Sequence, residues 1–213
     1  MSLSPMGPSM RAILIPCSGR KVEGGASSAV SHIRTSVSSE SWSTLCRARG
    51  SLAQQLGLEP GPDLGNSATP SPQLLPAWRR YDGNLYRKAM LTERDMHRPA
   101  FRFFVVSALF GVIDARDPIR SYNVAMTDRL PDGRTVHRFW RANGLASIIA
   151  DLLLHTDPTE VHDFLSGSYR KGVKGLMTEL PSGCEYLPRS YPGLGSGSDY
   201  HRGNDLRTLL AGA

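Results

Sequence analysis

Apolar residues along this chain fall in short dense runs, and the spacing inside each run separates strands from helices. Arg11–Ala–Ile–Leu–Ile–Pro–Cys17 is apolar at consecutive positions and closes on Pro16 and Gly19, the pattern of a strand buried on both faces. Glu40–Leu56 places Trp42, Leu45, Leu52 and Leu56 at helical spacing and stops at Gly57. A second helical stretch runs over 77–90, with a break at Asp82–Gly83. Phe101–Leu109 is the strongest strand, apolar enough for the middle of a sheet. Val136–His155 is the strongest helix, with Phe139, Trp140, Leu145, Ile148, Ile149 and Leu152 on one face. A strand over 161–166, a short helix over 168–177 and a terminal helix over 204–210 complete the pattern. Strands alternating with helices predict an α/β fold: a mixed, largely parallel sheet flanked by helices.

Between these runs the polar segments set the organisation. Residues 1–10 read as a disordered leader, and 22–39, rich in Ser, Gly and Ala, as a loop. Five prolines and two glycines over 59–76 predict a mobile surface loop, and the chain turns Gly- and Ser-rich and irregular from 181. The 213 residues are the size of one domain, expected over 11–213. No apolar run approaches the roughly 20 residues that span a bilayer, so no membrane partner is expected. Three cysteines, Cys17, Cys46 and Cys184, cannot pair evenly and fit a reducing, cytoplasmic setting. Neither a C-x-x-C nor an H-E-x-x-H motif occurs, so no metal and no cofactor are expected.

Charge narrows the partners. The net charge is +6, and of the 25 basic residues 21 are Arg and 4 are Lys. Guanidinium groups grip phosphate and carboxylate bidentately, which suits an anionic partner; a GC-rich genome that writes Arg for Lys gives the same bias.

Chemistry-bearing residues collect where the strands end, which is where α/β sheets bind ligands. Cys17–Ser–Gly–Arg–Lys21 follows the first strand. There, Cys17 reads as a nucleophile activated by Lys21, or Ser18, Gly19 and Arg20 as an anion nest; an ordinary turn with a buried thiol fits the same residues. In Tyr81–Asp–Gly–Asn–Leu–Tyr86, the two tyrosines and Asp82 suit the rim of a base- or sugar-binding site, or a capped helix start. Ser107 ends the central strand and leads into a polar loop carrying Asp114, Arg116, Asp117, Arg120, Ser121 and Tyr122, more hydrogen-bonding groups than a turn requires. Ser166–Gly–Ser–Tyr169–Arg–Lys171 and Lys174 follow the third strand, as a helix N-terminus that attracts anions or as a solvated basic turn.

At these segments the chain resembles the YaaA-type peroxide-stress proteins. Tyr81-Asp-Gly-Asn-Leu-Tyr86 is similar to their "kGdvY" element. Ser107-Ala-Leu-Phe-Gly-Val-Ile with Asp117-Pro-Ile-Arg-Ser-Tyr122-Asn-Val-Ala-Met126 is similar to "SgLYGvlrPlD…pYRleM". Phe139-Trp140 matches "fW", and Ser166 to Lys174 resembles "aSdEYfksVk". Order and spacing agree over roughly 80–177 and weaken over 22–76 and after Pro181. Where those proteins read "iSPAKtl", Pro16-Cys17-Ser18-Gly19-Arg20-Lys21 instead resembles the "PCSxxK" element of archaeosine synthase, whose related module acts on a 7-deazaguanine base.

The resemblance implies a YaaA-like α/β fold and one site built from the four segments. It points to an enzyme acting on a nucleobase, nucleoside or nucleotide-like molecule, by glycosidic-bond cleavage or transfer or by base modification. Cys17, Asp82 and Lys21 are its expected catalytic residues. Ser18, Gly19, Arg20, Tyr81, Tyr86, Ser107, Asp117, Arg120, Ser121, Tyr122, Ser166, Tyr169, Lys171 and Lys174 are its expected substrate contacts. The expected partner is a small anionic or nucleoside-like ligand. The alternative is a DNA-binding oxidative-stress protein without catalysis, with DNA or RNA as partner.

Overall fold

The most uniformly apolar run of the chain becomes its innermost strand. The computed structural model describes residues 9–26, 31–59, 61–64 and 73–212. In strand β1 (Arg11–Pro16), Ala12 to Ile15 are fully buried at every position, so both faces are covered. The elements that follow are α1 (Ser39–Gln55), β2 (Leu75–Pro76), α2 (Ala77–Arg80), α3 (Asn84–Ala89) and α4 (Glu93–Met96). Next come β3 (Phe101–Ser107), β4 (Gly111–Asp114), β5 (Pro118–Ile119), α5 (Val136–Ala142) and α6 (Leu145–Thr156). The chain ends with β6 (Glu160–Asp163), α7 (Gly167–Gly172), β7 (Glu185–Pro188) and α8 (Ser198–Ala211).

The main sheet has the order β4-β3-β1-β6-β7. β1 pairs in parallel with β3, Ile13 opposite Phe103, and with β6, Leu14 opposite Asp163. β7 is parallel to β6, and β4 alone runs antiparallel, to β3. This is the mixed, mostly parallel α/β sheet that the pattern predicts. The chain leaves β1 for a neighbour on one side and later returns on the other. β1 is therefore a topological switch point, with a crevice at its carboxyl end. The short β2 and β5 form a separate antiparallel pair, Leu75 opposite Ile119.

Several boundaries differ from the pattern, each for a local reason. The helix expected over 136–155 is two helices, because Gly144 takes a left-handed conformation (φ 71°) between them. The strand expected over 161–166 stops at Asp163, whose carboxylate accepts the Leu165 N–H at 2.6 Å and turns the chain. The 77–90 stretch breaks as expected, since Asp82 N–H donates to Arg20 O (2.9 Å) and pulls the chain out of the helix. The expected polar loop after Ser107 begins with β4, so Asp114 sits in a strand.

The tail expected to be irregular from 181 contains β7 and a helix that starts six residues before Asn204. Its helical pattern is weak because one glycine and several polar residues interrupt it, and packing on α3 holds it instead. Residues 1–8 of the expected leader, and residues 60 and 65–72 of the expected Pro/Gly loop, lie outside the described residues; so do 27–30 of the expected 22–39 loop.

Candidate active site at the β1 switch point

The turn between β3 and β4 is fixed from behind before it meets the site. Buried Arg49 donates to Phe110 O (2.9 Å) and Val112 O (2.8 Å), and Trp140 Nε1 donates to Ala108 O (2.7 Å). That turn aims the Ala108 N–H at Cys17 Sγ, 3.4 Å away. Cys17 is 8% exposed and follows β1 directly, its own N–H donating to Val106 O (2.9 Å).

Tyr169, on α7, closes the other side of the thiol. Its hydroxyl lies 3.1 Å from Cys17 Sγ and donates to Cys17 O at 3.0 Å. A phenol has one proton, so while that proton goes to the carbonyl the thiol donates to the phenol oxygen; once the thiol ionises, the phenol proton can turn to the sulfur. Tyr86 donates to Pro16 O (2.9 Å) and pins the strand end. Deeper in, the Tyr81 and Tyr122 hydroxyls lie 2.8 Å apart, and Tyr122 lies 2.8 Å from Ser107 Oγ, which accepts the Phe110 N–H (3.1 Å). Burial pushes all four phenols above their ordinary range, and the neighbouring Cys17 adds to the rise. They are therefore neutral hydroxyls at physiological pH.

Lys21 supplies the cation. Its Nζ donates to Ser18 O (2.8 Å) and stands 4.0 Å above the Tyr122 ring. Burial lowers its pKa, opposed by the nearby Cys17.

Two cavities meet at Gly19. One, of about 170 Å³, is walled by Cys17, Ser18, Asn84, Tyr86, Ser166, Tyr169 and Asp199. The other, of about 430 Å³, is walled by Lys21, Glu23, Ser121, Tyr122 and Asn123. Gly83 lets the walls close: a Cβ there would lie 2.3 Å from Ser18 Oγ. The structure thus gathers Cys17, Ser18, Gly19, Lys21, Tyr86, Ser121, Tyr122, Ser166 and Tyr169 around the two cavities, with Tyr81 and Ser107 beneath them.

Other expected site residues stand elsewhere. Asp82 is bound by Arg87 at 2.5 and 2.9 Å and faces Arg20 at 3.7 Å; the bond from Arg87 holds its carboxyl below the usual range. Neither Asp82 nor Arg20 is among the residues that wall the cavities. Asp117 is buried, accepting backbone N–H groups from His32, Ile33 (3.2 Å) and Asp114 (3.1 Å). Burial, then the Asp114 carboxylate, push it up to about 7. It joins β4 to the 31–36 segment and does not wall either cavity.

Arg120 is committed to Asp63 by two bonds of 2.8 and 2.6 Å. Lys171 and Lys174 are exposed on and after α7. Among the described residues, no group of three or more His, Cys, Asp or Glu side chains is placed to hold a metal ion, and no helix is long and apolar enough to cross a membrane.

Sequence reasoning missed Glu23, Asn84, Asn123 and Asp199. Asn84 stands inside the Tyr81–Tyr86 run that was singled out, so its position was a usable signal. Asp199 had none, because it arrives on a helix from a tail with no marked periodicity.

The family model described as peroxide stress protein YaaA matches residues 29–182. No curated protein matches the chain.

Proposed function

This chain belongs to the YaaA peroxide stress protein family, and we propose that it is an enzyme acting on a nucleobase, nucleoside or nucleotide-like small molecule. One observation carries the reading. The Cys17 thiol lines a cavity at the switch point of the sheet, with the Ala108 N–H and the Tyr169 hydroxyl placed on the sulfur. Cys17 is the nucleophile in this reading. Ala108 N–H and Tyr169 stabilise the thiolate, and the Lys21 ammonium attracts it from the second cavity. Tyr86 and Tyr169 offer aromatic surface for a base, and Lys21 receives an anionic or acceptor group of the ligand. Taken together, the two adjoining cavities, of about 170 and 430 Å³, reach the size class of small-molecule sites, about 300–1,000 Å³. Asp82, bound by Arg87, and Arg20 stand outside the two cavities and take no part at the reacting bond in this reading.

The test is incubation with a panel of nucleosides and nucleotides, read by mass spectrometry for base release or a mass change. Turnover by the wild type and its loss in Cys17→Ala is the expected result. Full turnover in Cys17→Ala would remove the thiol from the mechanism, and no turnover or binding across the panel would remove the substrate class.

A second reading, a DNA-binding stress protein without catalysis, is favoured by one surface. Exposed Lys171 lies with Arg138 and Arg141 around His137, whose imidazole pKa is lowered by burial first and then by their charges, with Lys174 three residues on. Binding of duplex DNA through this surface falls steeply with salt. Absence of binding at low salt discards that reading.

A further inference from the structure

The Cys17 cavity has one charged wall residue among the described residues, and it is a carboxylate. Asp199 comes from the first turn of α8, outside every segment that the sequence pattern singled out. The way α8 is seated explains why this side chain reaches the cavity. Gly203, one turn further on the same face, meets α3 so closely that a Cβ would lie 2.5 Å from Leu85 O. Leu206 and Leu210 continue that face into the core. α3 itself supplies Asn84, Leu85 and Tyr86 to the cavity wall. A helix locked onto α3 at Gly203 therefore sets Asp199 above the same wall.

The carboxylate is held on one side only. Buried Arg202 donates to Asp199 Oδ1 at 2.9 Å and to Ser198 Oγ at 2.5 Å. The other oxygen, Oδ2, has no protein donor among the described residues, and the side chain is 49% exposed. A fixed carboxylate with one open oxygen at a cavity edge accepts hydrogen bonds from a donor and repels an anion. The Lys21 ammonium lies beyond Gly19, in the second cavity. The joined site therefore has an acceptor end at Asp199 and a donor at Lys21, beside which Glu23 already accepts the Ser121 hydroxyl (2.7 Å).

We propose that Asp199 is a specificity-determining ligand contact, reading N–H or O–H donors of the ligand at the Cys17 cavity. The inference rests on the nucleoside-like substrate class above, in which those donors are sugar hydroxyls or the amino and ring N–H groups of a base. A phosphate, where the ligand has one, lies toward Lys21.

Isothermal titration calorimetry with wild type, Asp199→Asn and Asp199→Glu tests it. The ligand pairs are adenosine with 2′-deoxyadenosine and guanosine with inosine. Asn keeps the size of the side chain and removes the charge, and the melting temperature without ligand checks the fold. The expected result is a loss of about tenfold or more in affinity for the preferred ligand in Asp199→Asn, with partial recovery in Asp199→Glu.

The preference that collapses identifies the donor: ribose over deoxyribose for a hydroxyl, guanine over hypoxanthine for an amino group. Wild-type affinity and preference in a folded Asp199→Asn overturn the role of Asp199 and leave the substrate class standing. No binding of any nucleoside or nucleotide by the wild type overturns both.

Discussion

Replacing Gly83 by alanine probes how closely the site's walls approach. Gly83 has φ −77° and ψ 175°, a conformation alanine adopts freely. The cost is therefore contact alone. The new Cβ would lie 2.3 Å from Ser18 Oγ and 3.0 Å from Ser18 Cβ. The hydroxyl escapes by rotating, at the loss of the bond it accepts from Arg20 N–H (3.1 Å), worth about 0.5–1.5 kcal/mol. The carbon–carbon contact remains and forces the two loops apart, an overpacking cost of about 1–3 kcal/mol. The smaller entropy of an unfolded alanine chain returns about 0.4–1 kcal/mol.

Gly83→Ala alone is therefore destabilising by about 0.5–4 kcal/mol. In a Ser18→Gly background both contacts vanish, and the same substitution becomes stabilising by about 0.4–1 kcal/mol. Equilibrium urea denaturation of the four proteins gives a coupling of about 1.5–4.5 kcal/mol with a change of sign. An equal effect of Gly83→Ala in both backgrounds would refute the close approach, and with it the account of how the Cys17 cavity is closed.

Other consequences concern the charges that hold the site's supports. Asp117 has a native pKa of about 7 against about 3.9 unfolded. Between those values the native state keeps a proton that the unfolded chain has released, so this group makes stability fall as pH rises from about 4 to about 7. The fall is at most about 4 kcal/mol, and urea midpoints across that range should lose this component in Asp117→Asn. Arg80 is fully buried and donates to the carbonyls of Val22, Gly24, Gln73 and Ile119. Arg80→Met leaves those acceptors unpaired and should cost about 3 kcal/mol or more, a figure that denaturation with unchanged stability would contradict. Asp63→Ala strands the nearly buried Arg120 guanidinium, whose side chain is 12% exposed, and should cost about 3–5 kcal/mol. Adding Arg120→Met should recover part of that loss, and a purely additive second loss speaks against the pair.

Long apolar periodicity carried most of the fold. β1, α1 and β3 stand within two residues of their predicted spans because their signal is burial itself. What periodicity could not show were features made by contact. The hairpin partner β4 is four residues long, and its identity depends on Arg49 and Trp140 bracing the turn. β7 and α8 have little apolar pattern and exist because β6 and α3 offer them an edge and a groove.

The same division runs through the site. Cys17, Ser107 and Ser166 were legible as strand-end residues, since topology alone brings those ends together. From the sequence, Asp117 and Arg120 looked like site residues as polar groups after a strand, and Asp82 as a carboxylate at a helix break. Only their partners, Arg87, three backbone N–H groups and Asp63, show that their hydrogen-bonding capacity is already committed.

This has a bearing on how far the family's properties extend to the pocket. The span matched by the family, residues 29–182, includes Tyr81, Tyr86, Ser107, Tyr122, Ser166 and Tyr169, which form the walls and the buried phenol network. Cys17 and Lys21 precede that span and Asp199 follows it. In a pocket whose phenols are all held neutral by burial, the proposed reading leaves the Cys17 thiol, the Lys21 ammonium with Glu23 beside it, and the Asp199 carboxylate to determine what charge is bound and what bond attacked. In that reading, a change at position 17, 21 or 199 alters the nucleophile or the charge of the pocket while the phenol network stays in place. Members that share the walls can therefore differ in reaction, and the residues at positions 17, 21 and 199 are where such a difference is read.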